Sequence, residues 1–176
     1  MNKTSRALAL TILVVLAGAR LRATNHQDDL ALKIPPGWKV GNAQEDRRAQ
    51  TQIMELINEG DDIHNWKELL TEISGPTPHS IRKPEDFLDD LKVQREKECP
   101  GATVWNVIGK DGSSITYEWH AQPCLGWPEQ VEIAKILIGK KTFYILQYAK
   151  KVKELSPDER DTWLKWLGDV QFTNQH

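Results

Sequence analysis

Little in this 176-residue chain announces a chemistry. It holds two cysteines, Cys99 and Cys124, not spaced as Cys-x-x-Cys, which argues against a dithiol redox centre or a cysteine-based zinc site. The five histidines, His26, His64, His79, His120 and His176, include no His-x-x-x-His or His-Glu-x-x-His pair, so no two are placed on one helix face to share a metal. A Gly-x-Ser-x-Gly elbow and a glycine-rich phosphate loop are also missing, and no cofactor is expected. There is no basic excess, with 23 Lys+Arg against 25 Asp+Glu. There are no internal repeats, and no apolar run reaches the about 20 residues that a membrane-spanning helix needs.

The first 23 residues also lack any acidic side chain. They divide into a basic start with Lys3 and Arg6, an apolar run from Ala7 to Ala17, and small residues beyond it, the pattern of a secretory signal peptide. Two processing sites fit, after Ala19 and after Ala23, and neither is followed by a cysteine that a lipid would modify. A periplasmic or secreted protein without a transmembrane anchor is expected. The other reading of the run is a packed N-terminal helix, which its lack of amphipathicity argues against.

Removal of that leader takes Lys3, Arg6, Arg20 and Arg22 with it and leaves 19 basic against 25 acidic residues, a net charge of −6. Nucleic-acid binding that relies on neutralising phosphates is excluded on that balance. A mature chain of roughly 150 residues makes one domain, residues 24–176, able to bury about two-thirds of its unfolded surface. The seven tryptophans supply much of its core volume. In an oxidising compartment Cys99 and Cys124 are most simply a disulfide, and closing a loop of about 26 residues stabilises by roughly 3 kcal/mol on the chain-entropy account.

Hydrophobic spacing orders the rest. Leu30, Leu32 and Ile34 alternate as a strand does, Pro35-Pro36-Gly37 turns the chain, and Trp38-Lys39-Val40 starts a second short strand. Residues 49–57 read as a strand running into the polar turn Glu59-Gly60-Asp61-Asp62. Ile63, Trp66, Leu69, Leu70 and Ile73 fit either one helix or a single helical turn leading into a strand near 69–74. After the loop of residues 75–80, Pro84 with Glu85 and Asp86 opens a helix to about Glu98, with Phe87, Leu88 and Leu91 as its buried stripe and Cys99-Pro100-Gly101 as its stop. Strands over 103–108 and 114–120 flank Asp111-Gly112, a strong hairpin pair, and a second hairpin joins 131–138 to 143–148. Its strands are apolar on both faces, as in the middle of a covered sheet. Ser156-Pro157-Asp158-Glu159 is a capping box that opens a final helix carrying Trp163, Leu164, Trp166, Leu167 and Val170. The expected class is α+β, an antiparallel sheet flanked by helices.

This order resembles the PsbP-like fold, shared by the extrinsic lumenal subunit of photosystem II and a small Ran-GTPase-binding protein. It looks closest to small exported bacterial proteins of unassigned role. The likeness rests on Leu32-Lys33-Ile34-Pro35-Pro36-Gly37-Trp38, on Asn65-Trp66-Lys67-Glu68-Leu69-Leu70-Thr71, on Cys99-Pro100-Gly101 and on the closing Trp163-Leu164 helix. The resemblance implies an antiparallel sandwich, and a helical turn followed by a strand around Trp66. It also implies a scaffold or partner-binding role rather than catalysis.

Candidate sites are few. Trp127, in Leu125-Gly126-Trp127-Pro128 beside Cys124, is the tryptophan least expected in the core, and a loop tryptophan pinned by a disulfide suits a binding anchor. Lys135, Lys140, Lys141, Lys150, Lys151 and Lys153 gather on and around the last hairpin, a patch for an acidic partner or anionic headgroups, or simply solubilising lysines. Glu118 and His120 share a strand face and suit metal binding or proton positioning, or an ordinary exposed surface. Glu59, Asp61 and Asp62 form an acidic turn without EF-hand spacing. The main expectation is therefore a non-enzymatic binding or accessory domain whose partner is an envelope or secreted protein. A small-ligand or lipid carrier with a pocket between helix and sheet, and a metal-dependent enzyme using Glu118 and His120, are the alternatives.

Overall fold

Two hairpins built on the alternation above supply four of the seven strands of the fold. The computed structural model describes residues 30–81 and 83–173; the leader expected over 1–23, with His26 and His176, lies outside them. In chain order the elements are β1 (Trp38–Asp46), β2 (Thr51–Asn58), a 3-10 turn (Ile63–Asn65), β3 (Glu68–Pro76), α1 (Pro84–Glu98), β4 (Thr103–Lys110), β5 (Ser114–Ala121), β6 (Gln130–Ile138), β7 (Thr142–Lys150) and α2 (Pro157–Asp169). The strands make one seven-stranded sheet in the order β1-β2-β3-β7-β6-β5-β4, with every neighbouring pair antiparallel.

Each face of the sheet carries a helix. Alternate residues of β6 point opposite ways: Val131, Ile133 and Leu137 pack with Trp163 and Leu167 of α2, and Ala134 and Ile136 pack with Leu88 of α1. This double cover is why β6 and β7 read as nearly continuous apolar runs rather than as alternating ones. On the α2 face Trp163 stacks on Tyr148, with ring centroids 4.0 Å apart, and meets Trp38 and Trp166 edge-on. On the α1 face Phe87 packs on Phe143 at 4.6 Å. The Cys99–Cys124 disulfide ties the end of α1 to the loop between β5 and β6, and Gly101, at φ +67, takes the left-handed conformation that lets the chain leave α1.

The segment around Trp66 is one helical turn followed by β3. Two expectations change. Residues 30–34 do not join the sheet. They lie extended against the α2 side, held by the Leu30–Phe172 bridge, by Ala31 N donating to Gln171 O and by Trp166 Nε1 donating to Lys33 O. One-sided burial of Leu30 and Leu32 produces the same alternation as a strand would. The short strand begun by Trp38 instead runs on to Asp46 through Gly41-Asn42-Ala43-Gln44. An edge strand is held by backbone bonds to a single neighbour and needs no apolar signature.

Candidate functional site

The lysines expected to gather on the last hairpin part company according to the pleat of the sheet. Lys135 and Lys150 point to the α2 face, the first buried and the second half-buried, which corrects the expectation that both belong to a surface patch. Lys135 is 8% exposed, and its Nζ donates to Leu167 O at 3.0 Å and Val170 O at 2.9 Å. It thereby caps the C-terminal carbonyls of α2, where Leu167 O otherwise receives only a 3.4 Å bond from Val170 N. Burial pushes its pKa down, and Asp111 opposes that. Lys150 is paired with Glu68 at 3.0 Å and with Glu159, and these partners raise its pKa. Lys151 lies over the Trp66 ring at 4.0 Å. Lys140 and Lys141 alone stand exposed at the β6–β7 turn, with Lys153 exposed apart from them.

Glu118 and His120 share the α2 face as expected, but Glu118 is buried and committed. Arg160 of α2 donates Nε and Nη2 to its two oxygens at 3.0–3.2 Å. His120 Nε2 stands 3.7 Å from Glu118 Oε1, and its Nδ1 lies 3.3 Å from Lys153 O. In the acidic turn, Asp62 accepts from His64 N at 2.8 Å and Asp61 from Lys67 N at 3.4 Å, so both carboxylates brace the 3-10 turn. Among the described residues no group of three His, Cys, Asp or Glu side chains is placed to hold a metal.

Trp127 is where the sequence puts it, outside the core and 55% exposed, beside Leu125 at 78%. Cys124 and Trp127 exchange backbone hydrogen bonds of 3.2 and 2.8 Å around Leu125 at φ 51 and Gly126 at φ 88. Two successive left-handed residues are a type I′ turn. Leucine in that conformation costs about 1–2 kcal/mol. The turn therefore holds two apolar side chains in water on a strained, disulfide-pinned tip.

A concavity lies elsewhere, between α1 and the sheet. Leu91, Gln94, Arg95 and Glu98 follow one another at helical spacing down one face of α1 and close over Trp105, Tyr117, Trp119, Glu132 and Gln147, leaving a cleft of about 170 Å³. Trp105 and Trp119 are direct cross-strand partners, stacked at 5.5 Å, and Trp105 meets Tyr117 at 5.8 Å. In the sheet beneath it Ala134 lies opposite Tyr117 and Gln147, and Trp119 opposite Glu132.

Two charges are buried at this cleft without pairing. Glu132 accepts from Gln147 Nε2 at 2.8 Å and from the Trp119 indole. Burial pushes its carboxyl up to about 7, against the pull of those two bonds and of the Arg95 charge. Burial likewise raises Tyr117, with the nearby Glu132 charge adding to it and a hydrogen bond from Gln147 opposing. The Arg95 guanidinium lies over the Trp119 ring at 5.0 Å, and its Nε and Nη2 are buried with no hydrogen-bond partner among the described residues. A buried, unmatched donor pair of this kind is costly.

None of these cleft residues is evident from sequence motifs. Arg95 falls in the charged stretch 92–98 and reads as part of a solvated helix face. The available signal was that β6 is apolar on both faces, so that any charge within it, Glu132 and Lys135 alike, has to be buried. No helix among the described residues is long and apolar enough to cross a membrane. No protein-family model matches this chain, and no curated protein matches it.

Proposed function

We propose that this is an exported, non-catalytic binding protein that takes a small ligand into the cleft between α1 and the sheet. The observation that carries the reading is the buried Nε and Nη2 of Arg95, unpartnered beside a concavity that also holds the unpaired Glu132. Folding leaves such donors without partners only at a cost, and a ligand that reached them would repay it. The PsbP-like resemblance, with its partner-binding rather than catalytic members, is part of the same proposal.

The test is recovery of the protein from the envelope or medium of its native host, followed by mass spectrometry of the small molecules it carries. A stoichiometric small molecule is expected with the wild type and at least about ten-fold less of it with Gln94→Trp, which fills the mouth from an exposed position. An empty wild-type protein, or equal occupancy of the filled variant, contradicts the reading.

The turn at Leu125 and Trp127 favours a second reading, a docking tip for an envelope or secreted protein, because the fold holds it in a strained conformation. Leu125→Asn suits the left-handed position better and is expected to stabilise the protein by about 1 kcal/mol in thermal unfolding while weakening capture of that protein. Unchanged capture by Leu125→Asn and Trp127→Ala removes this reading.

A further inference from the structure

We infer that the ligand of the α1 cleft is a small, flat monocarboxylic acid, its carboxylate gripped by the Nε and Nη2 edge of Arg95 and its ring set against Trp105, Tyr117 and Trp119. This inference rests on the cleft reading above and adds the chemistry of the guest.

The edge itself selects the class. Nε and Nη2 present two parallel N–H groups that match the two oxygens of one carboxylate. The same chain puts this edge of an arginine on a carboxylate where a partner is at hand, since Arg160 Nη2 donates to Glu118 Oε2 and its Nε is shared between Oε1 and Oε2. Arg95 has the same edge buried and unmatched. Its guanidinium lies over the Trp119 ring at 5.0 Å, and because both N–H groups are covered in the empty protein, the half-buried side chain turns them toward the cleft when a carboxylate arrives.

The walls select the body. Stacked Trp105 and Trp119, with Tyr117 beside them, offer ring faces and edges to a flat guest. A cleft of about 170 Å³ is close to the about 150 Å³ that holds a benzene-sized molecule in a protein interior. The charges select a single negative group. Arg95 is the cation lining the cleft, while Glu132 and Glu98 are acidic, so a phosphate or dicarboxylate would bring a second negative charge against them. Glu132 titrates near neutrality because it is buried; in its protonated form it no longer repels the guest. The polar groups facing it are Arg95 from α1, Trp119 and Tyr117 from β5 and Gln147 from β7.

The experiment titrates the intact processed protein with benzoate, benzamide and benzamidine, which share ring and shape and are negative, neutral and positive. Binding is read by NMR and calorimetry. Benzoate is expected to bind at least about ten-fold more tightly than either analogue. Arg95→Lys, which keeps the charge but loses the fork, is expected to weaken benzoate by about ten-fold, and Arg95→Met by more. Near-ultraviolet circular dichroism checks that each variant keeps its fold, and if Arg95→Met does not fold, Arg95→Lys and the wild-type panel carry the test. Benzamide or benzamidine binding as well as benzoate overturns the carboxylate assignment and leaves the cleft reading standing. Benzoate binding that ignores both Arg95 variants overturns it too. If none of the three ligands binds, the cleft reading falls with it.

Discussion

At the scale of single residues, two buried charges, Glu132 and Lys135, account for much of what spacing rules did not reach. Glu132 is the sharpest case. Its carboxyl is pushed up to about 7 from 4.5 by burial, so between those values the folded protein holds a proton that the unfolded chain has released. Stability from this group is greatest at acid pH, falls as pH rises from about 4.5 to 7, and stays reduced above that, by about 3 kcal/mol in all. Glu132→Gln is expected to flatten that fall and to be the more stable protein at pH 8 (roughly one unit above the Glu132 titration). Denaturant melts across pH check it, and parallel curves for the two proteins contradict it. Lys135 makes the opposite case, a charge that is fully used. Lys135→Met takes a donor from the Leu167 and Val170 carbonyls, leaving Leu167 O only the 3.4 Å bond from Val170 N, and is expected to cost about 2 kcal/mol, against less than about 0.5 for Lys140→Met at the exposed turn. Both lysines look alike in sequence. The pleat separates them, because a β6 residue two places from Ile133 must share its face.

At the scale of elements, the legible parts were those with local rules. The Asp111-Gly112 hairpin, the Pro84 helix start and the Ser156 capping box appear as read, and in the last Glu159 returns the bond to Ser156 N. Each depends on a few adjacent residues, so sequence suffices. Elements that depend on distant partners were misjudged: residues 30–34 alternate because α2 covers one side, and β1 extends because β2 pairs with it. What attaches α2 to the sheet is likewise non-local, with Arg160 on Glu118, Lys150 between Glu68 and Glu159, and Trp163 on Tyr148. Arg160→Met leaves the Glu118 carboxylate buried and unmatched. We expect a loss of about 2 kcal/mol, below the 3–5 typical of fully buried pairs because the Arg160 side chain is 33% exposed. The double variant with Glu118→Met should recover part of that loss in a double-mutant cycle; strict additivity would show that the fork does not couple α2 to β5.

At the scale of the whole molecule, the sheet separates two jobs. Its α2 face is a packed wall in which Glu118, Lys135 and Lys150 have partners. Its α1 face ends in a cleft where Arg95 and Glu132 do not pair with each other, and the strained Leu125-Trp127 turn follows the disulfide that anchors α1. Six of the seven tryptophans make this division measurable, since Trp105 and Trp119 line the cleft, Trp127 marks the turn, and Trp38, Trp163 and Trp166 belong to the α2 side. The most direct test of ligand binding under α1 is therefore the indole N–H spectrum of the ¹⁵N-labelled protein, titrated with a small-molecule extract of the host. The account predicts that the Trp119 resonance, whose N–H is bonded to Glu132, shifts together with that of Trp105 while Trp127 and Trp163 stay in place. Movement of Trp127 alone, or of no indole at all, would contradict it.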